Sequence, residues 1–173
     1  MTEEGASNPL PLTMLLWHGS ARARLEAAVE SKRLPHAVLL HGPAGVGKEQ
    51  FATALAAALF CTNRGPTLVA CGECADCGLS RAGSHPDLHW LRRLEDKKSI
   101  SVDQVRDACE QLAMTSMRRG HRIAIVVPAQ AMTVNAQNAL LKTLEEPPAR
   151  TLLMLVTARP SRLLATLRSR CQR

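Results

Sequence analysis

The feature that most constrains the fold is a glycine-rich loop between an apolar segment and a helix-forming segment. Residues 42–48, GPAGVGK, match the pattern G-x-x-x-x-G-K. Residues 36–41 before the loop predict a short buried strand, and the alanine- and leucine-rich residues 50–60 after it predict a helix. In such a unit, backbone N–H groups surround a phosphate and the lysine reaches its terminal oxygens. The candidate phosphate-binding residues are Gly42, Gly45, Gly47 and Lys48.

The rest of the chain predicts an α/β domain with a parallel sheet. Further strands are predicted over 87–91, 123–127 and 151–156, and further helices over 20–31, 102–114, 134–145 and 163–167. We expect Ser101 to be the N-cap of the helix that follows it. The strands are continuous apolar runs, which is typical of a parallel sheet covered by helices on both faces. A length of 173 residues favours one domain, and only 2% of them are aromatic, so the core is expected to be aliphatic.

The groups that an ATP-hydrolysing site needs for magnesium are missing. The position after the loop lysine is Glu49, where a serine or threonine hydroxyl would hold Mg²⁺. The strand predicted over 123–127 leads into Pro128, where carboxylates would bind the metal and orient the attacking water. We therefore expect the shape of a phosphate-binding loop without hydrolysis, and tight ATP binding is doubtful.

Four of the six cysteines have the spacing of a metal site. Cys71, Cys74 and Cys77 follow one another at two-residue intervals, and Cys61 lies ten residues upstream. Four thiolates suit a tetrahedral, structural Zn²⁺, while an iron–sulfur cluster takes similar ligands and stays an alternative. His85 could replace one cysteine, although its position before a proline favours a loop. The remaining cysteines are interpreted as a core thiol, Cys109, and a bystander, Cys171.

Charge and hydropathy restrict the environment of the chain. No apolar run approaches the roughly 20 residues of a membrane-spanning helix, and the first residues, MTEE, are unlike a secretory signal. We therefore expect a cytoplasmic protein without a membrane partner, in a compartment where disulfides are disfavoured. The net charge of +7 is compatible with nearby DNA, but a solvated basic surface explains it equally well.

Four stretches together resemble the AAA+ clamp-loader family, whose members open and load the sliding clamp in DNA replication. Residues 34–48 are similar to the family's phosphate loop, and the cysteine insertion is similar to the zinc module of bacterial gamma/tau and delta-prime subunits. Residues 138–148, NALLKTLEEPP, are close to a family signature, and Ser169-Arg170-Cys171 matches its Ser-Arg-Cys motif. The resemblance covers residues 17–173.

This resemblance implies a P-loop NTPase domain of the AAA+ type. We expect an N-terminal extension over 1–16 and the AAA+ domain over 17–173, with a zinc-binding insertion at 61–80. The family's lid and collar domains do not fit into this length, so the chain is expected to be the N-terminal domain alone. Thr157, at the end of the last predicted strand, aligns with the family's sensor position.

The departures from the ATPase pattern match the delta-prime family of subunits, which do not hydrolyse ATP themselves. In that family the Ser-Arg-Cys arginine reaches the ATP site of the adjacent gamma/tau subunit, which implies that Arg170 is an arginine finger acting in trans. The resemblance further implies a hetero-oligomer with gamma/tau and delta subunits. It implies contact with the sliding clamp and primer-template DNA through that complex, as an accessory to a DNA-directed DNA polymerase.

The residues alone leave other functions open. An active ATPase could use Lys48, with Glu49 or another acid holding Mg²⁺. A zinc-dependent nucleic-acid-binding module is a further alternative, although the scarcity of aromatic residues argues against stacking on bases. By residue type alone, Arg170 would be a surface arginine in a basic helix.

Overall fold

A parallel four-stranded sheet forms the centre of the domain. The structure is a computed structural model, and it describes residues 10–65, 67–118 and 120–172. The strands lie in the order β1-β4-β3-β2, and every neighbouring pair is parallel. Their bounds are β1 Ala37–His41, β2 Leu88–Leu91, β3 Arg122–Val126 and β4 Thr151–Thr157. The predicted parallel sheet is confirmed.

Six α-helices accompany the sheet within the described residues. Their bounds are α1 Gly19–Glu30, α2 Lys48–Phe60, α3 Ala75–Arg81, α4 Val102–Ala113, α5 Val134–Glu145 and α6 Ala165–Ser169. Short 3₁₀ turns lie at Leu16–His18, Ala129–Ala131 and Pro160–Arg162. Most predicted bounds agree within two residues, and the 75–81 helix falls in the cysteine-rich insertion.

The sheet separates two hydrophobic cores because successive strand side chains point to opposite faces. Ile123 and Ile125 of β3 pack with α1 and α2 on one face. Ala124 and Val126 pack with α4, α5 and α6 on the other. Both faces of each central strand are therefore buried, which explains the continuous apolar runs in the sequence. The expectation of helices on both faces is confirmed.

Side-chain caps fix the starts of two helices on the second face. Ser101 Oγ accepts from the Gln104 backbone amide at 3.3 Å, and the Gln104 side chain accepts from the Ser101 amide at 3.0 Å. This reciprocal pair confirms Ser101 as the N-cap of α4. Thr133 caps α5 by accepting from the Ala136 amide at 3.1 Å.

The chain returns to the free edge of β1 near residue 172. The Leu39 amide donates to the Gln172 carbonyl at 2.8 Å, and the Gln172 amide donates to the Ala37 carbonyl at 3.0 Å. Cys171, just before, is buried in the core beside α6. Its interpretation as a bystander is wrong, because it is buried more deeply than Cys109, which lies only partly buried on α4.

Within the described residues, no helix is both long enough and apolar enough to cross a bilayer.

The core assignment predicts a large effect for Leu155→Ala. Leu155 in β4 is fully buried, so truncation leaves a cavity and should lower the free energy of unfolding by about 2–5 kcal/mol. Leu16→Ala is the matched control, since this side chain is 96% exposed, and it should change stability by less than about 0.5 kcal/mol. Urea denaturation followed by circular dichroism measures both. Equal effects would contradict the placement of the core.

Candidate functional site

The glycine loop has the backbone shape that the sequence predicts. It follows the carboxyl end of β1 and leads directly into α2, which begins at Lys48. Gly45 has φ of 82° and Gly47 has φ of 76°, a left-handed conformation that side chains other than glycine rarely adopt. At Gly47 a Cβ atom would also contact the end of the Leu15 side chain. The φ angles account for glycine at both positions.

The side-chain amine of Lys48 contacts a backbone carbonyl of its own loop. Its Nζ donates to the Pro43 carbonyl at 2.5 Å, and partial burial lowers the pKa of this amine. Two aromatic side chains contact the loop backbone at Val46. Trp17 Nε1 donates to the Val46 carbonyl at 3.2 Å, and His18 Nε2 lies 3.0 Å from the same oxygen. The sequence assigned no role to Trp17 or His18, because nearly thirty residues separate them from the loop.

Glu49 is paired with a cation of its own chain. It forms an ion pair with Arg92, the first residue after β2. The Arg92 guanidinium also lies 4.3 Å from the centre of the Trp90 ring, so a cation–π contact holds it in place. The carboxylate that replaces the expected hydroxyl is thus neutralised by an arginine. Sequence reasoning missed Arg92 because 43 residues separate it from Glu49.

A cleft of about 360 Å³ lies between the glycine loop and the carboxyl ends of β3 and β4. Its wall at the end of β3 is Val127 and Pro128, the positions where an ATPase carries acids. The Thr157 hydroxyl donates to Gln130 Oε1 at 2.6 Å and accepts from the Arg159 amide at 3.0 Å. The hydroxyl at the sensor position is therefore engaged within the chain.

The structure brings the four predicted metal-binding cysteines together. Cys61 follows α2, Cys71 lies in a loop, Cys74 precedes α3 and Cys77 lies within it. All four sulfur atoms lie within 4.8 Å of one another, and the Cys71–Cys77 and Cys61–Cys74 sulfur pairs are each 3.9 Å apart. Four sulfurs about 2.3 Å from a tetrahedral Zn²⁺ are about 3.8 Å apart. The cluster therefore fits a four-thiolate metal site and is compatible with zinc.

The thiols of this cluster differ in how readily they ionise. Burial raises the pKa of the Cys77 thiol to about 12 and also raises that of Cys61. Burial acts in the same direction on Cys74, but hydrogen bonds from Thr62 and the Cys77 backbone outweigh it and lower the Cys74 pKa to about 6. Four crowded thiolates repel one another, so all four ionise only when a metal ion neutralises them.

His85 lies outside the sulfur cluster and helps to attach the insertion to the sheet domain. Its ring stacks on Phe60 with centroids 3.7 Å apart, and its Nε2 lies 3.5 Å from Asp76 Oδ1. Burial lowers the pKa of His85, which favours the neutral ring. The Arg118 guanidinium donates to the same Asp76 oxygen at 2.6 Å. The buried Asp76, on α3, therefore connects the insertion to the segment before β3.

Arg170 is held at the surface by two acceptors. Its Nη1 donates to the Thr166 carbonyl at 3.0 Å, and its Nη2 lies 2.8 Å from Glu145 Oε1. Residue 172 pairs with the first half of β1, whereas the glycine loop follows the last residue of that strand. Since a strand rises about 3.3 Å per residue, the three steps from Val38 to His41 separate these two positions by roughly 10 Å along β1. Arg170 therefore lies at the opposite end of the sheet from its own loop.

Comparison with known proteins establishes the family. The family described as "DNA polymerase III, delta subunit" matches residues 17–173. The DNA polymerase III subunit delta' of Pseudomonas aeruginosa is 50% identical over 136 residues, which cover 79% of this chain and 41% of that protein. The chain belongs to the delta-prime family of DNA polymerase III subunits. It spans about two fifths of the length of this curated delta-prime relative.

More distant similarities agree with the AAA+ fold. The tau subunit of Bacillus subtilis is 34% identical to this delta-prime chain over 149 residues, covering 86% of it and 26% of the tau subunit. A gamma-subunit-related protein of Thermotoga maritima has a TM-score of 0.59 at 22% identity, covering 87% of this chain and 44% of its own, and that likeness concerns the fold alone. The family resemblance and the fold class inferred from sequence are confirmed.

The cysteine cluster predicts one zinc ion per delta-prime chain. Elemental analysis of the purified chain should find about one equivalent of zinc, and Cys74→Ser should lose most of it and lower the melting temperature. Cys109→Ser is the matched control, because Cys109 lies outside the cluster and should leave the zinc content unchanged. Iron with inorganic sulfide in place of zinc would identify the alternative cluster, and absence of any metal would reject the site.

Proposed function

We propose that this chain is the AAA+ domain of a clamp-loader delta-prime subunit that does not hydrolyse ATP and supplies Arg170 to the ATP site of a neighbouring gamma/tau subunit. In this role it helps a hetero-oligomer with gamma/tau and delta subunits to load the sliding clamp onto primed DNA. One observation carries the proposal: the Arg170 guanidinium is fixed at the surface, at the far end of the sheet from the glycine loop of its own chain.

The residues at the carboxyl ends of the strands support the proposal that this chain does not hydrolyse ATP. Phosphoryl transfer depends on a metal ion that bridges the phosphates and on a group that orients the nucleophile. Here Val127 and Pro128 replace the expected acids, and Glu49, the carboxylate directly after Lys48, is paired with Arg92. Lys48 donates to a loop carbonyl. Lys48 and Glu49 are thus both engaged with groups of their own chain, which supports a loop that does not hydrolyse ATP.

The chemistry of arginine supports action in trans. A planar guanidinium remains charged at all physiological pH values and can donate to two phosphate oxygens at once. Charge that develops on a transferring phosphoryl group is stabilised by such a donor. The Arg170 side chain is 37% exposed, so it is accessible to a neighbouring subunit while its backbone is anchored between α6 and β1.

The cysteine cluster completes the proposal as a structural site. Cys61, Cys71, Cys74 and Cys77 would hold Zn²⁺ as a closed set of four thiolates, which leaves no position for a substrate. The ion would cross-link a segment with little apolar core of its own. Through Asp76 and Arg118 the stiffened insertion stays attached to the sheet domain.

The purified chain should not release phosphate from ATP in the presence of Mg²⁺. The measured rate should equal the buffer background, and Lys48→Ala should leave it unchanged because the metal-binding groups are already missing. A coupled phosphate assay with an active P-loop ATPase as the positive control measures this. Turnover that disappears in Lys48→Ala would establish the competing function, an autonomous ATPase.

In a reconstituted loader with the full-length subunit, Arg170→Ala should strongly reduce DNA-stimulated ATP hydrolysis. Removing a finger costs the site that it completes about 10³-fold or more in turnover. Arg162→Ala is the matched control, because this arginine is also exposed and lies in the 3₁₀ turn before α6. Unchanged hydrolysis in a normally assembled Arg170→Ala loader would reject the finger assignment.

A further inference from the structure

The carboxylate of Glu145 determines the position of the Arg170 side chain. Glu145 is the last residue of α5, and its Oε1 lies 2.8 Å from Arg170 Nη2. From this geometry we infer that Glu145 is a positioning residue: it holds Arg170 in the orientation in which it acts on the neighbouring ATP site. This inference rests on the proposed function, since it concerns how the finger is presented.

Two acceptors on different elements fix the plane of the guanidinium. Glu145 on α5 receives one Nη group, and the Thr166 carbonyl on α6 receives the other at 3.0 Å. A single contact would leave the planar group free to rotate about that contact. Two contacts to opposite Nη atoms define its orientation, which is the requirement for a group that must meet a phosphate at a defined angle.

The contacts leave donors available for a phosphate. A guanidinium has five N–H donors, and the acceptors Glu145 and Thr166 use two of them. The Nε–H and one hydrogen on each Nη remain. Arg170 can therefore bridge two oxygens of an anion without releasing Glu145, so the tether and the proposed action in trans are compatible.

The helix that carries Glu145 is rigidly connected to the helix that precedes Arg170. Gln137, near the start of α5, is only 3% exposed. Its Oε1 accepts from the Leu164 amide at 2.7 Å, directly before α6, while its Nε2 donates to the Met132 carbonyl at 3.3 Å. The helix α5 therefore sets both the start of α6 and, through Glu145, the side chain at its end.

The exposure of the Glu145–Arg170 ion pair indicates that Glu145 positions the arginine and contributes little to stability. The Glu145 side chain is 52% exposed and that of Arg170 is 37% exposed, so solvent screens their attraction. Exposed ion pairs of this kind contribute little to folding stability. Removing the Glu145 carboxylate should therefore leave the domain folded and change only how well the guanidinium is oriented.

The test uses the full-length subunit in a reconstituted loader, with steady-state ATP hydrolysis in the presence of primed DNA and clamp. Glu145→Ala should lower kcat at the completed site by roughly two- to tenfold with KM for ATP unchanged, because orientation matters in the transition state. Glu145→Gln keeps an acceptor oxygen and should fall in between. Glu146→Ala is the matched control, since Glu146 is the adjacent exposed carboxylate and should leave kcat unchanged.

A double mutant identifies the route of the effect. In the Arg170→Ala background, Glu145→Ala should cause no further loss, because its action passes through the missing guanidinium. Melting temperature and assembly should match the parent in every variant. If Arg170→Ala lowers turnover while Glu145→Ala behaves like Glu146→Ala, the positioning role is wrong and the proposed function stands.

Other results also decide the question. Additive losses in the double mutant, or a rise in kcat for Glu145→Ala, would overturn the inference; the rise would mean that the carboxylate restrains the arginine. Normal turnover in Arg170→Ala would reject the proposed function itself, and the inference with it. If Glu145→Ala fails to assemble, Glu145→Gln decides by the same comparison of kcat.

Discussion

Strand β1 is paired in parallel on both of its edges, and this pairing determines where the glycine loop and Arg170 lie in the sheet. One edge pairs with β4, which aligns Thr157 with His41 beside the glycine loop. The other edge receives Gln172, which places Arg170 near the start of the same strand. Strand direction thus assigns the loop and the arginine to opposite ends of the sheet. An arginine so placed is remote from the loop of its own chain, which supports the proposal that it acts on a neighbouring subunit.

The two ends differ in how their charged groups are used. Beside the loop, Glu49 and Arg92 neutralise each other and Lys48 donates to a backbone carbonyl, so the polar groups there satisfy one another. At the other end, Arg170 keeps donors free although it contacts Glu145 and Thr166. This contrast supports the proposal of a subunit that contributes to hydrolysis without performing it.

Local sequence patterns predict most of the helices and strands, and within the site they predict the glycine loop and the four cysteines. Hydrophobic runs predict the strands. The cysteine spacing predicts a metal site, and its four sulfur atoms lie within 4.8 Å of one another. The missing information was long-range: no local signal connects Arg92 with Glu49, or Trp17 with the loop. Glu145 lies within residues 138–148, which resemble a family signature, yet its contact with Arg170 depends on how α5 packs beside α6. Burial also depends on tertiary structure, so the local sequence does not indicate that Cys171 is buried.

The two hydrophobic cores divide the domain into two halves in which substitutions can accumulate independently. The loop and α2 rest on one core, whereas α5, α6 and Cys171 rest on the other, and the sheet lies between them. Perturbations without shared neighbours contribute to stability almost additively. Substitutions around the loop therefore need not disturb the core beneath Arg170. A domain that is proposed to have lost hydrolysis beside one core can in this way keep the surface of Arg170, which rests on the other core.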